Sequence, residues 1–186
     1  MRINQRIYIL LCIASCFGCN SGSGRNGVEA YINNPANKLL QHQQVNDVTV
    51  TMQYIPPGVK LKQLKARGIV LSESDSAGIF HYNDFRFELS KPLWKPDQQM
   101  MEYLQFKIGN DLLLVLKTGD TVRSSICERM ANGSSSVQAY LVSFEKKDSL
   151  INDLQFIYND KIVDIGLVKF TIPGEQIKKT AEKTTL

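Results

Sequence analysis

Thiols, imidazoles and carboxylates are the groups from which this chain could assemble a reactive site. Its 186 residues hold four cysteines and two histidines. Past the first 19 residues, Cys127 with His81 is the one conceivable thiol–imidazole pair. Cys127 falls in an apparent strand, Ser125-Ile126-Cys127-Glu128, where a buried thiol is ordinarily inert. The carboxylate pairs Asp84/Glu88 and Asp160/Asp164 would suit an acid and a base, as in glycoside hydrolysis. On strand faces and in turns such residues more often serve solubility. His42 and His81 lie in different segments without metal-ligand spacing, and no calcium-loop, Gly-x-Ser-x-Gly or phosphate-cradling glycine pattern occurs. The expectation is therefore no catalytic residue, no metal and no cofactor. Tyr82, Trp94 and Tyr103 could form an aromatic platform for a sugar. The competing expectation is that Trp94, between Pro92 and Pro96, covers one end of a core.

The remaining cysteines, Cys12, Cys16 and Cys19, crowd the start of the chain. Arg2 and Arg6 precede an apolar run from Ile7 to Ala14, the layout of an export signal. The run is far shorter than the ~20 residues that a membrane-spanning helix requires. It closes on Ile13-Ala14-Ser15-Cys16. That tetrapeptide resembles a bacterial lipobox, which implies cleavage before Cys16, a diacylglycerol on its sulfur and acyl chains such as palmitate at the anchor. Cys19, after Phe17-Gly18, is the alternative acceptor and the poorer match; an ordinary secretory signal is the plain alternative. More than one acyl chain anchors stably, since each buried methylene contributes about 0.8 kcal/mol.

Composition bounds the rest. The apolar fraction of 43% and charged fraction of 22% are those of a globular protein, and about 165 residues after the signal make one domain. The net charge is +4, and falls to +2 once Arg2 and Arg6 leave with the signal, too little to argue for nucleic acid. An exported body with Cys127 alone forms no internal disulfide, so its core must carry the stability.

These groups must be positioned by strands. Val48 to Tyr54 alternates apolar and polar residues, as do Phe85 to Leu89 and Leu104 to Ile108. Leu112–Leu116 would complete a hairpin with 104–108 across Gly109-Asn110-Asp111. Further strands are expected at 69–71, 122–130, 137–144, 154–158 and 162–172, with a helix over 59–67, a helical turn near 97–102 and a polar loop over 72–78. The pattern predicts an all-β fold, an antiparallel β-sandwich of Ig-like character with one or two short helices. Four parts are expected: a signal and lipid-acceptor region (1–19), a flexible polar tether (20–44), the sandwich (45–173) and a frayed polar tail (174–186).

Tyr31 to Leu40, then Met52-Gln53-Tyr54-Ile55-Pro56-Pro57, resemble the opening of a group of uncharacterised Bacteroidota cell-envelope lipoproteins. Phe156 to Asp160 and the strand from Gly166 to Ile172 fit the same group. The resemblance implies an outer-membrane lipoprotein without known activity, so no functional residue carries over. The functional expectation is a non-enzymatic, lipid-anchored envelope protein that binds or braces a protein partner. A glycan-binding module or hydrolase is the alternative, and an inhibitor or immunity lipoprotein the weaker one.

Overall fold

The computed structural model describes residues 25–131, 133–147 and 152–184. The expected signal, Cys16, Cys19 and the first residues of the expected tether lie outside them. The described chain is an antiparallel β-sandwich with five short α-helices. One sheet has five strands: β1 (Leu40–Val45), β2 (Val48–Ile55), β3 (Tyr82–Ser90), β7 (Val137–Glu145) and β6 (Ile126–Met130), in that order. The other has four: β5 (Thr121–Arg123), β4 (Leu112–Leu116), β8 (Leu154–Asn159) and β9 (Leu167–Ile172). The chain changes sheet after β3, β5 and β7, so β3 and β7 pair although two strands of the opposite sheet lie between them in sequence.

Alternation selects the inner faces. Val48, Val50, Met52 and Tyr54 point inward from β2, and Phe85, Phe87 and Leu89 from β3. Tyr140, Val142 and Phe144 join them from β7, facing Phe156 and Tyr158 of β8 and Phe170 of β9. The rings interlock edge-on or tilted: Phe156 lies 5.2 Å from Phe85, 5.7 Å from Phe87 and 5.8 Å from Phe144. Such pairs add to what burial alone contributes. One open edge is bridged by side chains. Gln41 and Gln43 of β1 donate to the carbonyls of Thr171 and Lys169 on β9, at 2.9 and 2.5 Å.

Several expected elements are corrected by what each must pack against. The tether reading fails from residue 25 onward, where α1 (Arg25–Asn33) forms and buries Ile32, with Val28 and Tyr31 against the core. Those apolar residues stand at i, i+3 and i+4, one face of a helix. The tail is likewise no frayed end but α5 (Gly174–Thr184), burying Ile177 and Thr180. Residues 69–71 form no strand; Val70 is 96% exposed. The polar stretch after them contains α3 (Glu73–Ile79), capped by Ser72, whose Oγ accepts from the Asp75 N–H at 3.1 Å. Alternation at Leu104, Phe106 and Ile108 was equally a four-residue repeat through Met100, Leu104 and Ile108. The helical repeat prevails: α4 (Gln98–Glu102), capped by Asp97, runs into a π-helical turn over Tyr103–Lys107 and a 3-10 turn over Ile108–Asp111. Leu104 and Ile108 are buried and Phe106 is left in solvent. The 122–130 strand breaks at Ser124-Ser125, where the chain crosses from β5 to β6. Only Leu167–Ile172 of the last expected strand is extended. The helix α2 (Pro57–Ala66) matches its expected place.

Candidate functional site

Three polar centres are candidates, each organised around one carboxylate. The first lies under α2. Asp84, on the outer face of β3, is 1% exposed. Its Oδ2 meets the Lys60 ammonium at 2.6 Å, and its Oδ1 accepts from Ser143 Oγ, directly across on β7, at 2.5 Å. Burial pushes the nearby Lys146 ammonium below the ordinary lysine value, and the charge of Asp84 opposes that shift. Serine, lysine and aspartate together suggest acyl chemistry, but Ser143 is 2% exposed and its proton is directed to Asp84. The cluster ties α2 to two strands.

The second centre is a cleft of about 320 Å³ beneath the helical segment 98–111, lined by Gln99, Glu102, Tyr103, Lys107, Asp111 and Lys161 among others. Asp111, 5% exposed, meets Lys161 through Oδ1 at 2.5 Å and accepts from the Tyr103 hydroxyl through Oδ2 at 2.8 Å. Burial pushes the Tyr103 and Tyr158 hydroxyls well above the ordinary phenol value.

The third is Asp160, which follows β8. Its carboxylate accepts from the Tyr158 hydroxyl at 2.7 Å and from the backbone N–H groups of Ile162, Val163 and Ile165 at 2.9 to 3.2 Å. It thereby closes the loop 160–166, in which Asp164 and Gly166 take φ of 62° and 70°. Burial alone would favour the protonated acid. The hydrogen bonds from Ile165, Tyr158, Val163 and Ile162 outweigh it and hold the carboxyl below its ordinary range. Since the folded pKa is lowered, the stabilisation is complete above the unfolded aspartate value and is lost as pH falls through the folded one. Asp160→Ala is expected to lose about 2–3 kcal/mol at pH 7 by urea denaturation, since donors to a charged acceptor are left unpaired. The difference from wild type should shrink on acidification; a constant difference from pH 7 to pH 3 would refute the assignment.

The residues singled out in the sequence do not converge. Asp84 and Glu88 stand four residues apart on one strand, about 13 Å by strand rise, beyond the ~5–9.5 Å of a glycosidase pair. Glu88 pairs instead with Arg86. Asp164 is exposed while Asp160 faces its own loop. His81 is exposed, and strand spacings place its backbone about 16 Å from that of Cys127. Cys127 is half-buried rather than fully buried, beside a pocket of about 200 Å³ with Ser124, Gly109 and Tyr140. Burial, with Glu128 nearby, pushes its thiol up to about 11, so the thiolate is scarce at neutral pH. His42 Nδ1 bonds Thr51 Oγ1 at 2.9 Å. Among the described residues no three His, Cys, Asp or Glu side chains group as metal ligands.

The aromatic platform is corrected as well. Trp94 and Tyr103 are each 7% exposed, and Trp94 Nε1 is 3.2 Å from Met100 Sδ. Trp94 and Tyr103 belong to the core, so Tyr82, which is half-buried, does not share an exposed face with them. Lys60–Asp84, Tyr103–Asp111 and the Asp160 loop escaped the sequence reading. A carboxylate amid apolar strand residues, as at Asp84, is the one signal that could have exposed the first.

No family model matches the chain, and no curated protein matches it. Among solved structures, the chain is similar to a DUF4426 family protein from Pseudomonas aeruginosa PAO1, at 12% identity and a TM-score of 0.40, covering 72% of this chain and 91% of that one. It is also similar to a protein from Burkholderia pseudomallei K96243, described as a novel protein of unknown function. That match has 8% identity and a TM-score of 0.40, and covers 87% and 91% of the two chains.

Proposed function

We propose that this protein is a lipid-anchored, non-enzymatic component of the bacterial envelope, at the outer membrane, whose sandwich binds or braces a protein partner. The observation that carries the reading is the lipobox-like Ile13-Ala14-Ser15-Cys16, followed nine residues later by a folded body that starts at Arg25. The inner carboxylates fit a structural body: Asp84 and Asp111 each use both oxygens to join separate segments, and Asp160 uses both to close its own loop. Large apolar side chains in solvent fit a partner: Val70 is 96%, Leu93 89% and Phe106 71% exposed. Leu93 also holds a φ of 53°, a conformation that costs an aliphatic residue energy and is kept where the surroundings require it.

Metabolic labelling with a palmitate analogue tests the anchor. Wild type and Cys19→Ser should carry the label, and Cys16→Ser should lose it. An unlabelled wild-type protein that extracts without detergent would refute the reading. Recovery of one defined partner after detergent extraction, lost on substitution of Leu93 or Phe106 by Glu, tests the second half.

A further inference from the structure

We propose that the end of the sandwich built by α1, α2 and α5 docks on anionic phospholipid headgroups, orienting the anchored domain on its membrane. This rests on the lipid-anchor reading above. The three helices gather at one end of the strands. Tyr31 of α1 donates to Gln176 of α5, and the Lys183 ammonium lies 5.2 Å from the Tyr31 ring centroid. Gly58 of α2 abuts Thr184, so closely that a Cβ there would come within 2.4 Å of it. Asn46 and Asp164, joined at 3.3 Å, mark the opposite end. The chain enters the body through α1 at this end, and the nine residues from Cys16 to Arg25 reach at most about 30 Å, so the helical end starts nearest the proposed anchor.

Charge is divided to match. The segments 25–33, 57–67 and 174–184 hold eight basic and three acidic residues, a net charge of +5. The rest of 25–186 holds twelve basic and fifteen acidic residues, a net of −3. Lys60 is engaged by Asp84, whereas Lys62, Lys65, Arg67, Lys178, Lys179 and Lys183 are exposed. Glu29, Glu175 and Glu182 are the acidic residues among them, Glu175 paired with Lys179. Glu73 and Asp75 on the neighbouring α3 bound the basic region. A cluster of lysines held within a Debye length of an anionic leaflet is attracted to it, and salt screens the attraction.

The purified full-length protein is mixed with vesicles of phosphatidylcholine, alone or with one quarter phosphatidylglycerol, floated, and acetylated briefly before mass spectrometry. Lys62, Lys65, Lys178, Lys179 and Lys183 should label about fivefold more slowly on the anionic vesicles, with the rates restored by high salt. Lys91 and Lys161, at the far end, should not change. Lys178→Glu/Lys179→Glu/Lys183→Glu should float on neutral vesicles as wild type does yet lose the protection. Equal labelling on both vesicles overturns the docking, and does so from wild type alone should the variant misfold. Failure to float on neutral vesicles overturns the anchor. Protection on anionic vesicles without such flotation leaves the docking standing by itself, and flotation with neither overturns both.

Discussion

Phe156→Ala is expected to lower stability by about 3–5 kcal/mol, the largest effect of any single truncation in this domain. Phe156 is wholly buried at the middle of β8, and its ring touches Phe85, Phe87 and Phe144 of the facing sheet. Removing it takes away the apolar area it buries and three ring contacts. Both flanks are strands fixed by ladders, β4 on one side and β9 on the other, so the layers cannot collapse into the space. For a chain of this length, the loss corresponds to roughly 10 °C or more in Tm. Phe156→Leu should recover over half of it, because most of the volume returns. Urea denaturation of the three proteins checks this; a loss below 1 kcal/mol for Phe156→Ala would mean that the sheets do not face each other as described.

Lys60→Met is expected to cost about 3 kcal/mol, although lysine to methionine on a helix surface is usually mild. The reason is Asp84, whose side chain is fully buried while that of Lys60 keeps 26% exposure. Without the ammonium, the carboxylate retains the Ser143 hydroxyl and the more distant Lys146 charge, which compensate it incompletely. Lys60→Met/Asp84→Asn should be more stable than Lys60→Met alone, since the amide needs no counter-charge. A double-mutant cycle should return a coupling above 1 kcal/mol. If Lys60→Met matches wild type within 0.5 kcal/mol, the ion pair contributes nothing and α2 is held by its apolar contacts alone.

How much could be read in advance differs by element. Strands β2, β3, β7 and β8 are legible because a half-buried strand must alternate, and Val48 to Tyr54 or Phe85 to Leu89 admit no other period. α1 and α5 were hidden by composition: Asn and Thr dilute the apolar face, and in α5 a threonine, Thr180, fills a buried position. The segment 98–111 was ambiguous because Leu104 and Ile108 satisfy periods of two and four alike. Its Asp97 cap was the visible cue to the helix.

The sequence by itself determined that the body is a two-layer antiparallel sheet protein with an apolar aromatic interior, because side-chain alternation is a local property of a strand. It also carried the short contiguous pattern on which the proposed export signal and lipid anchor rest. Only the tertiary structure decided that Trp94 and Tyr103 turn inward and that Asp84 finds Lys60 and Ser143. It alone brought the lysines of α2 and α5 to one end of the molecule. Ion pairing and charge clustering join residues distant in the chain, as Asp84 and Ser143 are joined across paired strands, and no local period encodes that register.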